Sequence, residues 1–349
     1  MEKAKVYFTD FRTAAYGDGL PAKLKKLMRR AGVGTIDMAD LVKEEGGKPF
    51  LTDCNTMYPG SRKNALEHLY CAWENGFTPM TVGCPVLIGD GLKGTDDVAV
   101  PVVGGEYVKE AKIGRAVMDA DVFISLSHFK GHETTGFGGA IKNIGMGCGS
   151  RAGKAEQHSN GKPSIDAARC RGCRKCRREC ANDGLVFDSE TGKMTVDLAH
   201  CVGCGRCLGA CNFDAIEFRE DDAVEVLNRR MAEYAKAVVD GRPHFHVSLI
   251  VDVSPYCDCH GENDAPILPN IGMFASFDPL ALDQACADAC LAANPLPGSR
   301  LSDNMARQGF VDLGDHFRNT TPESDWESCL VHAEKIGLGT REYELITVK

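Results

Sequence analysis

Two cysteine runs are the part of this sequence whose residue types and spacing most clearly indicate chemistry. They read CRGCRKCRREC (170–180) and CVGCGRCLGAC (201–211), and each has the spacing C-x2-C-x2-C-x3-C. This spacing binds two [4Fe–4S] clusters in bacterial proteins, where the fourth cysteine of each run serves the other cluster. The predicted ligands are Cys170, Cys173, Cys176 and Cys211 for cluster 1, and Cys201, Cys204, Cys207 and Cys180 for cluster 2.

Two features qualify this prediction. Ala181 and Asn212 stand where a proline usually follows the fourth cysteine, so the ligands are kept but the turns can differ. A pair of zinc sites is the alternative, although three cysteines at this spacing are crowded for tetrahedral zinc.

Basic residues surround the first run, in a chain whose net charge is −9. They are Arg169, Arg171, Arg174, Lys175, Arg177 and Arg178. Positive charge would stabilise the more negative, reduced form of a nearby cluster and would attract an acidic electron donor or acceptor such as a ferredoxin or flavodoxin. A solvated surface with partial salt pairing is the alternative explanation.

A third segment, SHFKGHETTGFGGAIKNIGMGCGSRAGKAEQHS (127–159), combines Gly, His and Lys with few large apolar residues. We expect a loop there, neither a core helix nor a core strand, at the carboxyl end of the strand DVFISLSHF (121–129). Ligands bind at such edges in open parallel sheets. The catalytic candidates are His128, Lys130 and His132, and the candidates for binding a small anionic substrate are Gly138, Gly139, Lys142 and Asn143. Alternatively, the glycines serve only tight packing and the histidines bond locally.

The loop contains neither a Walker motif nor a dinucleotide fingerprint, so no nucleotide is predicted. A fourth segment, SPYCDCHGENDAP (254–266), follows the strand FHVSLIVDV. Its cysteines Cys257 and Cys259 suggest an additional metal site or a reactive thiol pair. Two cysteines cannot complete a metal site, so another group, for example Cys84 or Cys148, would have to join them. A buried pair in a turn is the alternative.

The elements that must position these residues alternate between strands and helices. Strands are predicted at 5–11, 78–83, 97–103, 121–129, 245–254 and 271–277, and helices at 21–32, 60–76, 107–120, 222–241, 278–294 and 326–339. Such alternation predicts an α/β fold with a mainly parallel sheet covered by helices. Residues 165–219 would form an inserted α+β ferredoxin-like domain, which leaves a discontinuous α/β domain at 1–164 and 220–349.

Composition narrows the class of protein. The negative net charge argues against nucleic acid and membrane surfaces as partners. The sequence contains 17 cysteines and its first residues show no apolar export signal, which favours metal ligation in a reducing compartment. We therefore expect a cytoplasmic protein, and the many thiols suggest an anaerobe.

With these segments in view, the chain resembles the DUF362 family in the form that carries an inserted [4Fe–4S] domain. The likeness includes TDCNTMYPGSRKNALEHL (52–69), IGDGLKGTDDVAVPV (88–102), residues 127–159, the two cysteine runs, PYCDCHGENDAPILPNIGMFASFDPLALDQA (255–285) and AEKIGLGTREYEL (333–345). The resemblance implies the architecture more than a reaction, and it gives Cys54 no ligand role.

The function expected from these observations is an iron–sulfur redox protein. Two [4Fe–4S] clusters would relay single electrons to a site on the α/β domain, where a small anionic substrate is reduced or oxidised. Whether the chain is an enzyme, an iron–sulfur oxidoreductase, stays open. The alternatives are an electron carrier that docks to a partner enzyme, or a carrier of clusters or metals.

Overall fold

The computed structural model describes residues 3–9, 35–57, 60–159, 162–180, 183–201, 203, 205–218, 224–259 and 263–348. The strands are β1 Ala4–Thr9, β2 Leu51–Asp53, β3 Val86–Ile88, β4 Asp97–Pro101, β5 Glu110–Gly114, β6 Phe123–His128, β7 Lys130–His132, β8 Gly136–Gly138, β9 Pro163–Ile165, β10 Leu185–Asp188, β11 Lys193–Val196, β12 Ile216–Phe218, β13 His244–Ile250, β14 Gly272–Ser276 and β15 Tyr343–Thr347. The helices are α1 Thr35–Glu44, α2 Ala65–Glu74, α3 Pro79–Val82, α4 Arg115–Met118, α5 Ala140–Cys148, α6 Arg151–Ser159, α7 Lys175–Arg178, α8 Arg206–Ala210, α9 Val224–Val239, α10 Pro279–Leu291, α11 Arg300–Ala306, α12 His316–Thr320 and α13 Glu327–Lys335.

The main sheet has five strands in the order β15-β1-β14-β13-β6. The α/β class is confirmed, but the sheet is mixed where the alternation predicted a mainly parallel one. The pairs β1–β15 and β13–β6 are parallel, while β14 is antiparallel to both of its neighbours. The described residues between β13 and β14 form no helix, and the chain returns beside its own strand, as antiparallel neighbours allow.

Apolar side chains on both faces of this sheet hold the helices. One face packs against α5 and α10 in the largest core, which includes Ile144 and Leu282, and α9 packs against α5 in the same core through residues such as Tyr234. The other face packs against α1 in a smaller cluster around Val247 and Met273. Asp278 caps the N-terminus of α10, because its carboxylate accepts from the amides of Leu280 and Ala281.

Three predicted elements differ from the structure or lie outside its described part. The segment 78–83, predicted as a strand, contains the short helix α3, because Thr78 and Thr81 form a capping box around Pro79. The segment 107–120, predicted as a helix, contains β5 and then α4, because β5 pairs with β4. The helix predicted at 21–32 lies outside the described residues.

The Gly/His/Lys segment 127–159 is also not the loop that its composition predicted. It forms a β7–β8 hairpin and the helices α5 and α6, and Ile141, Ile144 and Ala155 are fully buried within it. Small residues let these elements pack closely enough to be buried without large side chains.

The two cysteine runs belong to a compact set of short elements. Strand β9 pairs with β12, and β10 pairs with β11, both antiparallel. Their core is shared with the rest of the chain, because Met57 and Ala155 pack in the same cluster as Cys170, Cys176 and Cys207. Among the described residues, no helix has the length and apolarity needed to cross a bilayer.

Candidate functional site

The first candidate site is a hollow enclosed by four cysteines. Cys170, Cys173, Cys176 and Cys211 all line it, together with Ile165, Gly172, Met194 and Ile216. Burial, with smaller contributions from the charges of Cys211, Cys173 and Cys170, raises the pKa of Cys176 to about 11. Four sulfur donors around one small apolar hollow are a donor set that suits an iron–sulfur cube.

The backbone of the two cysteine runs repeats. Gly172 and Gly203 have φ values of 62° and 72°, and Arg174 and Gly205 have φ values of 59° and 69°. Such left-handed residues turn successive amides toward one side and make a concave surface for an anion. The amides of Gly172 and Met194 also lie 3.5 and 3.4 Å from Cys170 Sγ. At these two pairs of positions the described backbone of the second run therefore matches that of the first.

The second predicted ligand set is described in part, because Cys204 lies outside the described residues. Cys207 is buried, and Cys180 and Cys201 are half-buried. Cys180 packs against the same apolar cluster as Cys207. The neighbouring Gly205 carbonyl lies 3.4 Å from the guanidinium of Arg151, a side chain that is only 1% exposed.

The second candidate site lies where two parallel strands end. Strands β6 and β13 are parallel neighbours, with Leu249 opposite His128, so the loops that follow them meet at one edge of the sheet. The amide of Gly131 donates to the Ser254 carbonyl at 2.8 Å. A Cβ at position 131 would lie 2.7 Å from that oxygen, so glycine is what lets β7 approach the loop carrying Cys257.

At this edge the cysteine pair meets a histidine and a lysine. One ligand atom from each of His132, Cys257 and Cys259 lies within 4.8 Å of the others. Lys142 Nζ donates to Cys257 Sγ at 2.8 Å and lies 4.0 Å from Cys259 Sγ. His132 and Cys257 are buried, while Cys259 is half-buried. The structure thus forms a Cys/His/Lys site, which is also a potential metal-binding group.

The electrostatics of this site favour one thiolate. The hydrogen bond from Cys259 lowers the pKa of Cys257 strongly, with further lowering from Lys142 and His132. The same hydrogen bond, together with burial, raises the pKa of Cys259. Burial alone would lower the pKa of Lys142, but the sulfur charges raise it, so Lys142 is an ammonium ion. Burial and Lys142 lower the pKa of His132, which is therefore neutral.

Asp258, between the two cysteines, points to a different set of partners. Its carboxylate lies 2.9 Å from His128 Nδ1 and 3.1 Å from Lys130 Nζ. His128 Nε2 meets the Val251 carbonyl at 2.7 Å, and the bond to Asp258 raises the pKa of His128. His128 and Lys130, predicted as catalytic, therefore hold the cysteine loop in place, whereas His132 contacts the sulfur directly.

The residues predicted to bind a substrate anion have partners within the protein. The amides of Ala140 and Ile141 donate to the buried carboxylate of Asp283 at 2.6 and 2.9 Å. A Cβ on Gly139 would lie 2.3 Å from Asp283 Oδ1, and one on Gly138 would lie 3.1 Å from Lys142 Cδ. Asn143 Nδ2 donates to the Gly139 carbonyl at 2.7 Å.

These contacts give the amides at the start of α5 a partner inside the protein. Asp283 already satisfies the helix amides, and the glycines make room for Asp283 and Lys142. Lys142 itself faces Cys257 Sγ.

Among the described residues, neither Cys84 nor Cys148 joins Cys257 and Cys259. Cys148 lies beside Cys54, whose Sγ is 3.4 Å from the Cys148 carbonyl. Cys84 packs with Ala39 and Val82 in a separate small cluster. The third member is His132, from the loop that follows β6. The parallel pairing of β6 and β13 brings this loop and the cysteine loop to the same edge of the sheet.

Side chains link the two candidate sites. Arg62 Nη2 donates to the Cys259 carbonyl at 3.1 Å, and the next residue, Lys63, donates to the Cys211 carbonyl at 3.0 Å. Helix α6 provides a second link. Its Ala155 packs with the cysteines of the quartets, and its His158 is close enough to Lys142 and His132 for their charges, after burial, to lower its pKa to about 3.

Fold and site together define a mixed α/β protein with two cysteine quartets beside a Cys/His/Lys site. The chain belongs to the family described as "Domain of unknown function (DUF362)", whose sequence profile matches residues 35–288, so the predicted membership of this family is confirmed.

A curated relative is Thylakoid-associated protein sll1697 from Synechocystis sp., at 30% identity over 117 residues. That match spans 32% of this chain and only 30% of the relative's length. Among solved structures, the lactate racemase apoprotein from Thermoanaerobacterium thermosaccharolyticum matches with 10% identity and a TM-score of 0.42, over 98% of this chain and 73% of that one. A protein from Thermotoga maritima matches with 12% identity and a TM-score of 0.29, over 79% and 59% of the two chains.

Proposed function

We propose that this protein is an iron–sulfur redox protein that passes single electrons from a soluble donor to the Cys/His/Lys site. The observation that carries the proposal is the hollow lined by Cys170, Cys173, Cys176 and Cys211. The last of these comes from the second run, which is the crossed arrangement that the spacing predicts for two clusters. When bound, two [4Fe–4S] clusters would supply one-electron chemistry.

The chain's own residues would serve this function in three ways. Gly172 and Arg174 shape the loop around the first ligand set, and the Gly172 amide lies within reach of the Cys170 sulfur. Cys173 is exposed, so a donor protein could approach the first ligand set closely. Arg62 binds the Cys259 carbonyl and the next residue, Lys63, binds the Cys211 carbonyl, so this dipeptide connects the two cysteine loops.

The test is the iron and sulfide content of anaerobically purified protein, with EPR during a potentiometric titration. We expect about eight irons per chain and two interacting signals, as for two four-iron clusters. Cys173→Ser should remove or convert one cluster. Its matched control is Cys71→Ser, which changes a half-buried helical cysteine outside both runs and should leave the iron unchanged.

Other outcomes would contradict the proposal. Stoichiometric zinc with no iron would overturn it, as would equal iron loss in Cys173→Ser and Cys71→Ser. The alternative is an electron carrier without enzymatic activity, and the one observation that favours it is the exposure of Cys173. It predicts that a Cys257→Ser variant transfers electrons between soluble partners as fast as the native protein and that no substrate is turned over.

A further inference from the structure

The contacts of Cys257 distinguish a metal site from a thiol site. The buried ammonium of Lys142 lies 2.8 Å from Cys257 Sγ, where it neutralises a thiolate and would repel a metal cation. A neutral imidazole carries one proton. His132 Nδ1 accepts from the amides of Thr134 and Thr135 at 3.0 and 3.1 Å, so the proton is on Nε2. That nitrogen donates toward the sulfur and has no lone pair for a metal.

We propose that Cys257 and Cys259 are a redox-active pair that converts between a thiolate–thiol form and an intramolecular disulfide, with exogenous disulfides as its substrate class. The inference deepens the proposed function, on which it rests only for the source of electrons that returns the pair to its reduced form.

The local backbone suits both forms of the pair. Asp258 and Cys259 form a turn, and the Cys259 amide lies 3.4 Å from Cys257 Sγ. Residues two apart are at most about 7 Å apart even in an extended chain, and a turn brings them within the range that a disulfide bridges. Asp258 is anchored by His128 and Lys130, so the turn is fixed on the side away from the sulfurs.

Exposure assigns different tasks to the two sulfurs. Cys257 is 2% exposed and contacts Lys142 and His132, so it is the stabilised thiolate. Cys259 is half-buried and is the sulfur that a substrate can reach. Cys259 therefore meets the substrate first, while the buried Cys257 thiolate takes the proton of Cys259 and then resolves the mixed disulfide.

The proposed reaction is a thiol–disulfide exchange in two steps. The proton of Cys259 passes to Cys257, and the Cys259 thiolate attacks one sulfur of a disulfide R–S–S–R. A Cys259–S–S–R bond forms, and RS⁻ leaves and takes the proton from Cys257. The Cys257 thiolate then attacks the Cys259 sulfur, the Cys257–Cys259 bond forms, and the second RS⁻ leaves. The pair loses two electrons and the substrate disulfide gains them.

Reduction of the pair then needs two electrons and one proton. A low-potential one-electron donor of the ferredoxin class would supply them singly through the proposed clusters. Each proposed cluster transfers one electron, so two clusters together can supply the two electrons that reduction of one disulfide requires. Lys142 stabilises the reduced form, because its ammonium faces the thiolate and has no charged partner at that sulfur once the disulfide forms.

The test is an anaerobic titration of the purified chain in buffers of reduced and oxidised glutathione. After acid quenching and alkylation, peptide mass spectrometry measures how much Cys257 is linked to Cys259. We expect one transition in which both cysteines of the same peptide oxidise together. Turnover of glutathione disulfide with a chemical one-electron reductant should require both cysteines and be lost in Cys259→Ser.

The matched variants are Lys142→Met and Lys109→Met, each of which removes one positive charge. Without Lys142 the thiolate is less stable, so half-oxidation should move to more reducing buffer by about tenfold or more in the equilibrium constant. Lys109 is exposed and remote from the site, so its loss should not move the transition.

Two outcomes would overturn the inference. One is the absence of a Cys257–Cys259 disulfide across the whole glutathione range. The other is a metal bound in stoichiometric amount that Cys257→Ser removes while the cluster iron stays. The Cys173→Ser variant separates the two proposals, because the thiol transition in glutathione should persist in it. A normal thiol transition in a chain without iron would refute the electron relay and leave the thiol pair standing.

Discussion

The behaviour of each cysteine in this chain follows from what surrounds its sulfur. Cys286, Cys290 and Cys329 are buried on helices of the main core, and burial raises their pKa far above that of a free thiol. Cys257 is buried as well, yet its pKa is lowered, because Cys259, Lys142 and His132 all donate toward it. Burial alone therefore does not make a thiol inert, and the donors around it decide.

A prediction at this scale concerns the ion pair of Asp258 and His128. The bond to Asp258 raises the pKa of His128 above its unfolded value, so the pair stabilises the fold below about pH 6.5 and this contribution is lost as pH rises through the folded pKa. Asp258→Asn should therefore lower the melting temperature more at pH 5.5 than at pH 9. Anaerobic scanning calorimetry measures both differences.

The control is Asp264→Asn, which changes an exposed carboxylate in the same loop region. It should lower the melting temperature little and equally at the two pH values. A pH-independent loss in Asp258→Asn would mean that the contact with Lys130 alone anchors the loop.

Among the elements, helix α5 determines where Lys142 stands. It crosses α9 closely, because a Cβ on Gly145 would lie 2.2 Å from the Met231 carbonyl. Two residues later, a Cβ on Gly147 would have no neighbour nearer than 3.8 Å. The same helix thus holds one glycine that packing requires and one that it does not.

This contrast yields a matched pair of substitutions. Gly145→Ala should destabilise the protein by about 1–3 kcal/mol, because backbone cannot yield to the added methyl. It should also reduce the reactivity of Cys257, because α5 carries Lys142. Gly147→Ala should be neutral or stabilising by up to about 1 kcal/mol, from helix propensity. Denaturant unfolding measures both, and an equal cost at the two positions would contradict the packing argument.

On the scale of the whole molecule, charge separates the first cysteine run from an otherwise acidic chain. Arg169 is paired with Asp166 and Glu217, and the Arg174 guanidinium lies 3.7 Å from the centre of the Phe187 ring. Lys175, Arg177 and Arg178 are exposed around the short helix α7. A basic face beside exposed Cys173 fits an acidic electron donor, whose approach it would steer.

Replacing Lys175, Arg177 and Arg178 together with Gln tests this steering. Reduction by an acidic ferredoxin should slow at least several-fold at low salt, and the difference should shrink as salt is raised, since screening weakens steering. Stopped-flow absorbance follows the reaction. The control variant carries Gln at Lys48, Lys109 and Arg307, three exposed positions elsewhere. Equal rates in the two variants would show that only net charge matters.

The sequence by itself determined what depends on local spacing. Hydrophobic periodicity predicted the four helices α2, α9, α10 and α13, and the cysteine spacing grouped eight thiols into two runs of closely spaced candidate ligands. Each rests on neighbours within a few residues, whose geometry the chain fixes directly. Patterns at 78–83 and 107–120 were too short to distinguish a helix from a strand, and capping or pairing decided them.

Only the tertiary structure decided which distant residues act together. His132 and Cys257 are 125 positions apart and meet because β6 and β13 are parallel neighbours. Asp283 accepts a hydrogen bond from the amide at the start of α5, directly after the glycines, and Lys142 donates to the sulfur of Cys257. Composition records that glycine, histidine and lysine are present. Strand order and helix packing determine which atoms these side chains face, because the free energy of burying a charged group depends on the group that lies beside it.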